Sequence, residues 1–230
     1  MQKAKNFISI SKYSEKINQM VFGINKMKLI YNGINYEKFI IVNEVAIIPK
    51  SIFFVGNLSV EKGADIAIEV FAAIQAKYPE SSLHFIGIET AYKTEFEKIV
   101  LQNHLSSKVH YHGFLQTNEM ISLLSSAEIV LFPSTGENFS LALLETMSME
   151  KCCICSDLPS YGEIIIDQQN GFIAKSTEDY IAVILKLFDK DELKSRTAHN
   201  ARQTIINQFS INKMVDESVA YYQELIDTAL

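Results

Sequence analysis

Arginine is scarce in this sequence, and long apolar runs are absent. Only Arg196 and Arg202 occur among 230 residues, against 27 aspartates and glutamates, and the formal net charge is −6. Such a chain lacks the basic face that binding to a phosphate backbone requires, so we expect no nucleic-acid partner. No stretch reaches the roughly 20 consecutive apolar residues that a membrane-spanning helix needs.

Cysteine is also rare, and the three cysteines form one short cluster, Cys152, Cys153 and Cys155. An odd number in one cluster cannot build a disulfide framework, and no second Cys/His cluster completes a zinc site. We interpret them as reduced residues of a buried strand. Residues 1–12 lack the pattern of a signal peptide. The prediction is a cytoplasmic protein, with at most peripheral contact at the inner face of the membrane.

Short apolar runs alternate with longer segments of helical periodicity. Residues 51–55 (SIFFV) are strand-like, and residues 64–78 follow with helical spacing until Pro79. Further strands are predicted at 83–86, 108–112, 128–132, 152–155 and 171–174, and further helices at 91–101, 117–125, 141–149, 178–188, 192–207 and 212–227. This alternation predicts an α/β fold, a Rossmann-like parallel sheet with helices on both faces.

The predicted strands end at residues that favour turns, namely Gly56, Gly87, Gly113 and Pro133. In open parallel sheets, ligands bind beyond the carboxyl ends of the strands. We therefore expect a small-molecule site in the loops that follow these four residues.

The most informative segment is 133–145 (PSTGENFSLALLE), in which Glu137 and Glu145 lie in a loop and in the helix that follows it. A loop that turns into a helix offers free backbone N–H groups to a phosphate. The two carboxylates then suit hydroxyl groups on either side of a diphosphate. By spacing alone, the alternative of one solvated loop acid and one acid on the helix surface is favoured, because two glutamates eight residues apart are common by chance.

This segment resembles the E-x7-E region of retaining glycosyltransferases of the GT-B architecture, group 1, which consist of two facing Rossmann-like domains. Other stretches match that family in the same order. They are residues 31–35 (YNGIN) with Phe39, 54–58 (FVGNL) with 61–63 (EKG), 112–115 (HGFL), 157–160 (DLPS) with 162–164 (GEI), and 170–172 (NGF). The resemblance runs from about residue 7 to the end and implies the C-terminal, donor-binding half.

The resemblance also implies roles for individual residues. Glu137 would contact the hydroxyls of the donor sugar, and Lys62 would pair with the diphosphate and assist the departing nucleotide, which makes these two the candidate catalytic residues. Glu145 would bind the ribose. The remaining candidate substrate-binding residues are Gly56, Asn57, Leu115, Asn138, Phe139, Ser140 and Leu141. No Asp-x-Asp motif occurs, in agreement with metal-independent chemistry, so neither a metal nor a cofactor besides the nucleotide-sugar substrate is expected.

Three positions depart from the family pattern. Asn57 stands where the family has an arginine, so one of two cations for the diphosphate is missing. Glu89 replaces the second glycine of a G-x-G turn, and residues 149–151 (MEK) replace a turn that usually contains glycine. Each change can weaken catalysis or alter the donor.

Most of the first domain of such an enzyme is absent from this sequence. We assign residues 1–45 to a remnant of that domain and a linker, 46–208 to the nucleotide-sugar-binding domain, and 209–230 to a C-terminal helix that packs toward the missing half. The chain is then a fragment, a truncated product or one subunit of a split enzyme. The expected partners are a nucleotide-sugar, a separate N-terminal glycosyltransferase domain, or a second copy in a homodimer.

The predicted function is transfer of a sugar from a nucleotide-sugar to a glycan, lipid or small acceptor, with retention. The alternative is a nucleotide-sugar-binding or regulatory module without activity of its own. A flavodoxin-like or NAD-binding protein is a third hypothesis, but no strand is followed by G-x-G-x-x-G, which counts against it.

Overall fold

The computed structural model describes residues 6–228, so the outermost residues of the predicted remnant and of the predicted C-terminal segment lie outside it. The strands are β1 (Ile8–Ser9), β2 (Lys28–Leu29), β3 (Ser51–Val55), β4 (Ser82–Ile86), β5 (Val109–Tyr111), β6 (Ile129–Phe132), β7 (Cys152–Ser156) and β8 (Phe172–Ala174). The helices are α1 (Lys12–Phe22), α2 (Ala64–Lys77), α3 (Lys93–Gln102), α4 (Thr117–Ser125), α5 (Leu141–Ser148), α6 (Thr177–Phe188), α7 (Asp191–Gln208) and α8 (Ile211–Asp227). A single-turn 3-10 helix, Tyr161–Glu163, follows β7.

Strands β3 to β8 form one parallel sheet in the order β5-β4-β3-β6-β7-β8. This confirms the predicted Rossmann-like α/β fold, and the strand and helix bounds from residue 51 onward differ from the predicted ones by only one or two residues. Successive side chains of β3 point to opposite faces of the sheet, and each face has its own hydrophobic cluster. Ile52 and Phe54 lie in the first cluster and Phe53 lies in the second. Helices α2, α3 and α6 cover the first face, and α4, α5 and α7 cover the second.

The segment before β3 is joined to both the sheet domain and α8. Strand β1 pairs with β2 in a small parallel sheet. Ile34 forms a bridge with Ser210, and Ile34 and Phe39 are buried in the second core cluster. These contacts fall within the predicted remnant, whose boundary at residue 45 stays a prediction.

Helices α1 and α8 contribute no buried residue. Met20, Val21 and Phe22 are each more than 60% exposed on α1. Their counterparts on α8 recur at helical spacing and are also exposed: Val215, Val219, Tyr222 and Ile226. Within residues 6–228, no helix is both long enough and apolar enough to cross a membrane.

The turn after α5 adopts a left-handed conformation without glycine, since Glu150 has a φ of 51°. We expect Glu150→Gly to raise the free energy of unfolding by about 0.5–1 kcal/mol, because the left-handed region is costly for a residue with a Cβ. The partly exposed Glu150–Arg202 pair, at 3.8 Å, offsets little of this gain. Urea unfolding measures the effect, and Glu150→Ala is the control that removes the carboxylate alone. Equal stability of the two variants would contradict the assignment of strain.

Candidate functional site

Two loops meet at the carboxyl edge of the sheet, one from β3 to α2 and one from β6 to α5. The Thr135 N–H donates to the Glu61 carbonyl at 2.8 Å and ties the loops together. Gly63 makes the approach possible: its φ is 75°, and a Cβ there would lie 2.0 Å from the Pro133 carbonyl oxygen. This contact places Lys62 directly beside the loop that contains Glu137.

Lys62 and Glu137 form the central contact of the site. The Lys62 ammonium donates to Glu137 Oε2 at 2.8 Å, and both side chains are mostly buried. The other carboxylate oxygen accepts the N–H of Asn138 at 3.1 Å. The two residues thus lie together at the carboxyl edge of the sheet, where the site is expected from the sequence, and their roles toward a ligand stay a prediction.

The amino terminus of α5 lies in the same loop. Ser140 is its N-cap, and the Ser140 hydroxyl accepts the N–H of Leu143 at 3.2 Å. The N–H groups of Leu141 and Ala142 have no hydrogen-bond acceptor among the described residues. Free N–H groups and the helix dipole together favour an anion at this point.

Phe139 anchors the loop to the interior. Its buried ring stacks on Tyr31, with centroids 5.8 Å apart, and lies 5.9 Å from the ring of Phe209. Asn138 and Leu141, on either side of this anchor, are exposed. The residues on both sides of Phe139 are thus open to solvent, which fits backbone contacts to a ligand.

Glu145 lies one helical turn after Leu141, on the same face of α5. No hydrogen bond or ion pair joins its carboxylate to another residue in the range 6–228. Partial burial raises the pKa of Glu145, and the nearby charge of Lys38 acts in the opposite direction. A partly buried carboxylate without a protein partner can accept hydrogen bonds from a ligand hydroxyl.

The other predicted residues line the edge less closely. Gly56 adjoins the stem of Lys62, since a Cβ at Gly56 would lie 3.7 Å from Lys62 Cβ. Asn57 is exposed, so this position offers a neutral amide where a cation is expected. Leu115 packs partly against the second core cluster, and its predicted role against a base stays a prediction.

Sequence reasoning missed the contacts that support this loop from below. The Tyr161 hydroxyl donates to the Ser134 hydroxyl at 3.0 Å, and Ser156 donates to the Ser134 carbonyl. Glu163 accepts the N–H groups of Lys12 and Tyr13, each at 2.8 Å, at the start of α1. No local pattern indicates such pairs, because their members are far apart in sequence.

The histidines of β4 and β5 come together in a way that the sequence did not indicate. His84 stacks on Phe53, and its Nδ1 lies 3.0 Å from His112 Nε2. Burial, followed by the charges of His110 and His112, lowers the pKa of His84 to about 4. The cysteines are free and buried, as predicted, and burial raises their pKa values.

A cavity of about 510 Å³ lies at the opposite, amino-terminal edge of the sheet. Lys50, Lys151 and Lys194 line it, but each ammonium is already bound. Lys50 donates to the Phe188 carbonyl, Lys151 to two backbone carbonyls and Lys194 to carboxylates. Because it lies at the opposite edge of the sheet, the cavity is separate from the carboxyl-edge site.

The profile of the family described as "Glycosyl transferases group 1" matches residues 40–204. The match covers well over half of the chain, and the protein belongs to this family. An uncharacterized glycosyltransferase of Methanocaldococcus jannaschii is 30% identical over 223 residues, a match that covers 96% of this chain and 60% of the relative. The chain thus spans about 60% of the length of this relative.

Solved structures agree with the fold. The structure of Anabaena HepE in complex with UDP and glucose superposes with a TM-score of 0.86 at 18% identity, covering 94% of this chain and 62% of that one. The C-terminal domain of a group 1 family protein from Francisella tularensis superposes with a TM-score of 0.70 at 25% identity. That match covers 78% of this chain and 100% of that domain. Both likenesses agree with the parallel α/β fold, and the second is to a domain described as C-terminal in its own protein.

Proposed function

We propose that this chain is the donor-binding half of a glycosyltransferase that moves a sugar from a nucleotide-sugar to an acceptor, with retention. One observation carries the proposal: the Lys62 ammonium, the Glu137 carboxylate and the free N–H groups of α5 meet at the carboxyl edge of the sheet. A diphosphate at this point gains a cation and a helix amino terminus, and the attached sugar lies beside a carboxylate.

In this proposal, the residues divide the donor among them. Lys62 and the N–H groups of Leu141 and Ala142 bind the diphosphate and stabilise the negative charge that develops on the departing nucleotide. Glu137 accepts hydrogen bonds from sugar hydroxyls, and Glu145 accepts them from the ribose. The match to HepE, whose structure contains UDP and glucose, supports a nucleoside diphosphate as the ligand.

Diphosphate binding needs no metal in this proposal. Lys62 and the α5 dipole supply positive charge, whereas Asn57 supplies none. Asn57 also favours the second candidate, a module that binds the nucleotide-sugar without transferring it. The two differ in outcome, because the module binds donor yet transfers no sugar even when an N-terminal half is added.

The test of the site is Glu145→Ala. We expect it to weaken the binding of the nucleotide-sugar by about 1–3 kcal/mol, since ribose hydroxyls would lose a partly buried acceptor. Titration calorimetry with UDP-, GDP- and ADP-sugars on the full chain measures this. Glu69→Ala removes an exposed glutamate in α2 and serves as the control. Unchanged affinity for every nucleotide-sugar that the wild-type chain binds would remove Glu145 from the site.

The exposed apolar residues of α1 and α8 support a partner. We propose that they contact an N-terminal glycosyltransferase half, which would account for the remaining length of the relatives. In its absence, a second copy of the chain is the expected occupant, because one apolar patch can pair with itself about a two-fold axis.

We expect the isolated chain to form a homodimer. Light scattering across a concentration series measures the mass, and Val219→Asp with Tyr222→Asp should shift it to the monomer, because a charge at a buried contact is costly. Glu217→Gln, elsewhere on α8, is the control. A wild-type chain that remains monomeric at the highest concentration would exclude self-association.

A further inference from the structure

Tyr161 is buried directly beneath the loop that contains Glu137. Only 1% of its surface is exposed, and its hydroxyl donates to Ser134 Oγ at 3.0 Å. Ser134 is itself buried, and its backbone carbonyl accepts a hydrogen bond from the Ser156 hydroxyl. Ser134 begins the loop and Ser140 caps the helix at its end, so Tyr161 holds the first end of the segment that presents Glu137.

The two ends of this segment are held by different groups. At the first end, Ser156 donates to the Ser134 carbonyl, and the Thr135 N–H donates to Glu61. At the second end, the Ser140 hydroxyl accepts the N–H of Leu143. Between them, the Glu137 carboxylate is bonded to Lys62 and to the Asn138 N–H, both of which are in loops, so its direction depends on how firmly the loop is fixed.

The phenol is a permanent donor. Burial raises the pKa of Tyr161 well above its usual range, and the charge of Glu137 adds to the effect. The group is therefore neutral at every physiological pH and can donate one hydrogen bond. If this donor is removed, the buried Ser134 hydroxyl loses the partner that fixes it.

The backbone around Tyr161 is itself well fixed. The carbonyl of Tyr161 accepts N–H groups from Ile164 and Ile165, and the Gly162 N–H donates to Leu158. Two residues further on, Glu163 holds the start of α1 and accepts the Tyr31 hydroxyl at 3.0 Å. A rigid turn makes Tyr161 a suitable support for the first end of this loop.

From these contacts we infer that Tyr161 is a positioning residue, whose hydroxyl holds the loop from Ser134 to Ser140 in the conformation that binds the donor. The inference deepens the proposed function and rests on it for its consequence in binding. Tyr161 does not touch the ligand. It acts through Ser134 on the loop that presents Glu137 and leads into α5.

The experiment compares two buried tyrosines in the full chain. Tyr161→Phe keeps the ring and removes only the hydroxyl. Tyr180→Phe is the matched control, because the Tyr180 hydroxyl is equally buried in the same region but donates to the Phe132 carbonyl, on the strand. Hydrogen exchange of the amides of Thr135, Leu143 and Leu144 reports on the loop without any ligand, and calorimetry with UDP, GDP and ADP reports on binding.

We expect Tyr161→Phe to speed exchange at these amides and to weaken nucleotide binding, each by about threefold to tenfold, the range expected for one lost hydrogen bond. Tyr180→Phe should change the exchange rate and the nucleotide affinity by less than about twofold. It should lower the melting temperature by as much as Tyr161→Phe does. Ser134→Ala should reproduce the effects of Tyr161→Phe, and the double variant should add little, because both changes remove the same bond.

Two outcomes overturn the inference. One is exchange at these amides that is the same in Tyr161→Phe and Tyr180→Phe, which would make Tyr161 an ordinary core residue. The other is faster exchange with unchanged nucleotide affinity, which would separate loop order from binding. A wild-type chain that binds none of the nucleotides would overturn the proposed function, and the exchange comparison would still decide whether Tyr161 holds the loop.

Discussion

Gly63→Ala is expected to lower the free energy of unfolding by about 3 kcal/mol or more, a larger loss of stability than we expect from any other proposed substitution. Two causes combine. The φ of 75° is unfavourable for any residue with a Cβ, and that Cβ would lie 2.0 Å from the Pro133 carbonyl oxygen. Backbone atoms at both sides must move apart, so the Lys62–Glu137 contact should loosen as well.

Gly113→Ala separates the two causes. Gly113 has a φ of 72°, and a Cβ there would meet no atom within 4 Å. This variant should therefore lose only about 1–2 kcal/mol, the cost of the left-handed conformation. Urea unfolding of both variants gives the difference. Equal losses would show that the approach of the two loops does not require glycine at position 63.

Lys62→Met is expected to have the largest effect on function. With an N-terminal half present, sugar transfer should fall by on the order of 100- to 1000-fold, the cost of removing one group that stabilises charge in a transition state. In the chain alone, binding of a nucleoside diphosphate should weaken by about 1.5–3 kcal/mol, because the diphosphate would face Glu137 without its cation. Transfer assays and calorimetry measure the two quantities.

Lys98→Met is the matched control for this change, since Lys98 is an exposed lysine on α3 whose ion-pair partner within residues 6–228 is Glu95, at 3.4 Å. Lys62→Arg should retain most of the binding, because the charge is kept, and less of the transfer, because the geometry of the cation differs. If Lys62→Met and Lys98→Met bound and transferred alike, Lys62 would have no role in the site.

Asn57 determines how strongly diphosphate binding should depend on Lys62. With a neutral amide at this position, Lys62 is the cation of the β3–α2 loop that lies beside Glu137. The dependence on Lys62 should therefore be greater than in a site with two cations. The amino terminus of α5 then provides the second source of positive potential.

Much of the fold was predictable because it depends on local patterns. Residues 51–55 form a strand as predicted, since a short apolar run before glycine suits a strand buried on both faces. Helix α5 begins at Leu141 as predicted, because Ser140 is a favourable N-cap. The loop site followed from the rule that parallel strands end at one edge, and the Lys62–Glu137 contact agrees with it.

For the turn after α5, the sequence showed only that it departs from the family pattern. The sequence indicated that residues 149–151 replace a glycine turn, but not which residue adopts the left-handed conformation. The structure assigns it to Glu150, whose carboxylate lies 3.8 Å from Arg202. A φ value depends on where the flanking helix and strand must lie, and that is set by packing.

Local order in the sequence, from apolar periodicity to turn residues and caps, by itself determined the strands, the helices and the edge of the sheet where Lys62 and Glu137 meet. Tertiary structure alone decided which distant groups support that edge: the Gly63 approach to Pro133, the Tyr161 bond to Ser134, and the Glu163 bonds to α1. The physical reason is the distance along the chain over which each signal acts. Periodicity reflects neighbours within a few residues, whereas a hydrogen bond between residues far apart in the chain exists only after the layers have packed.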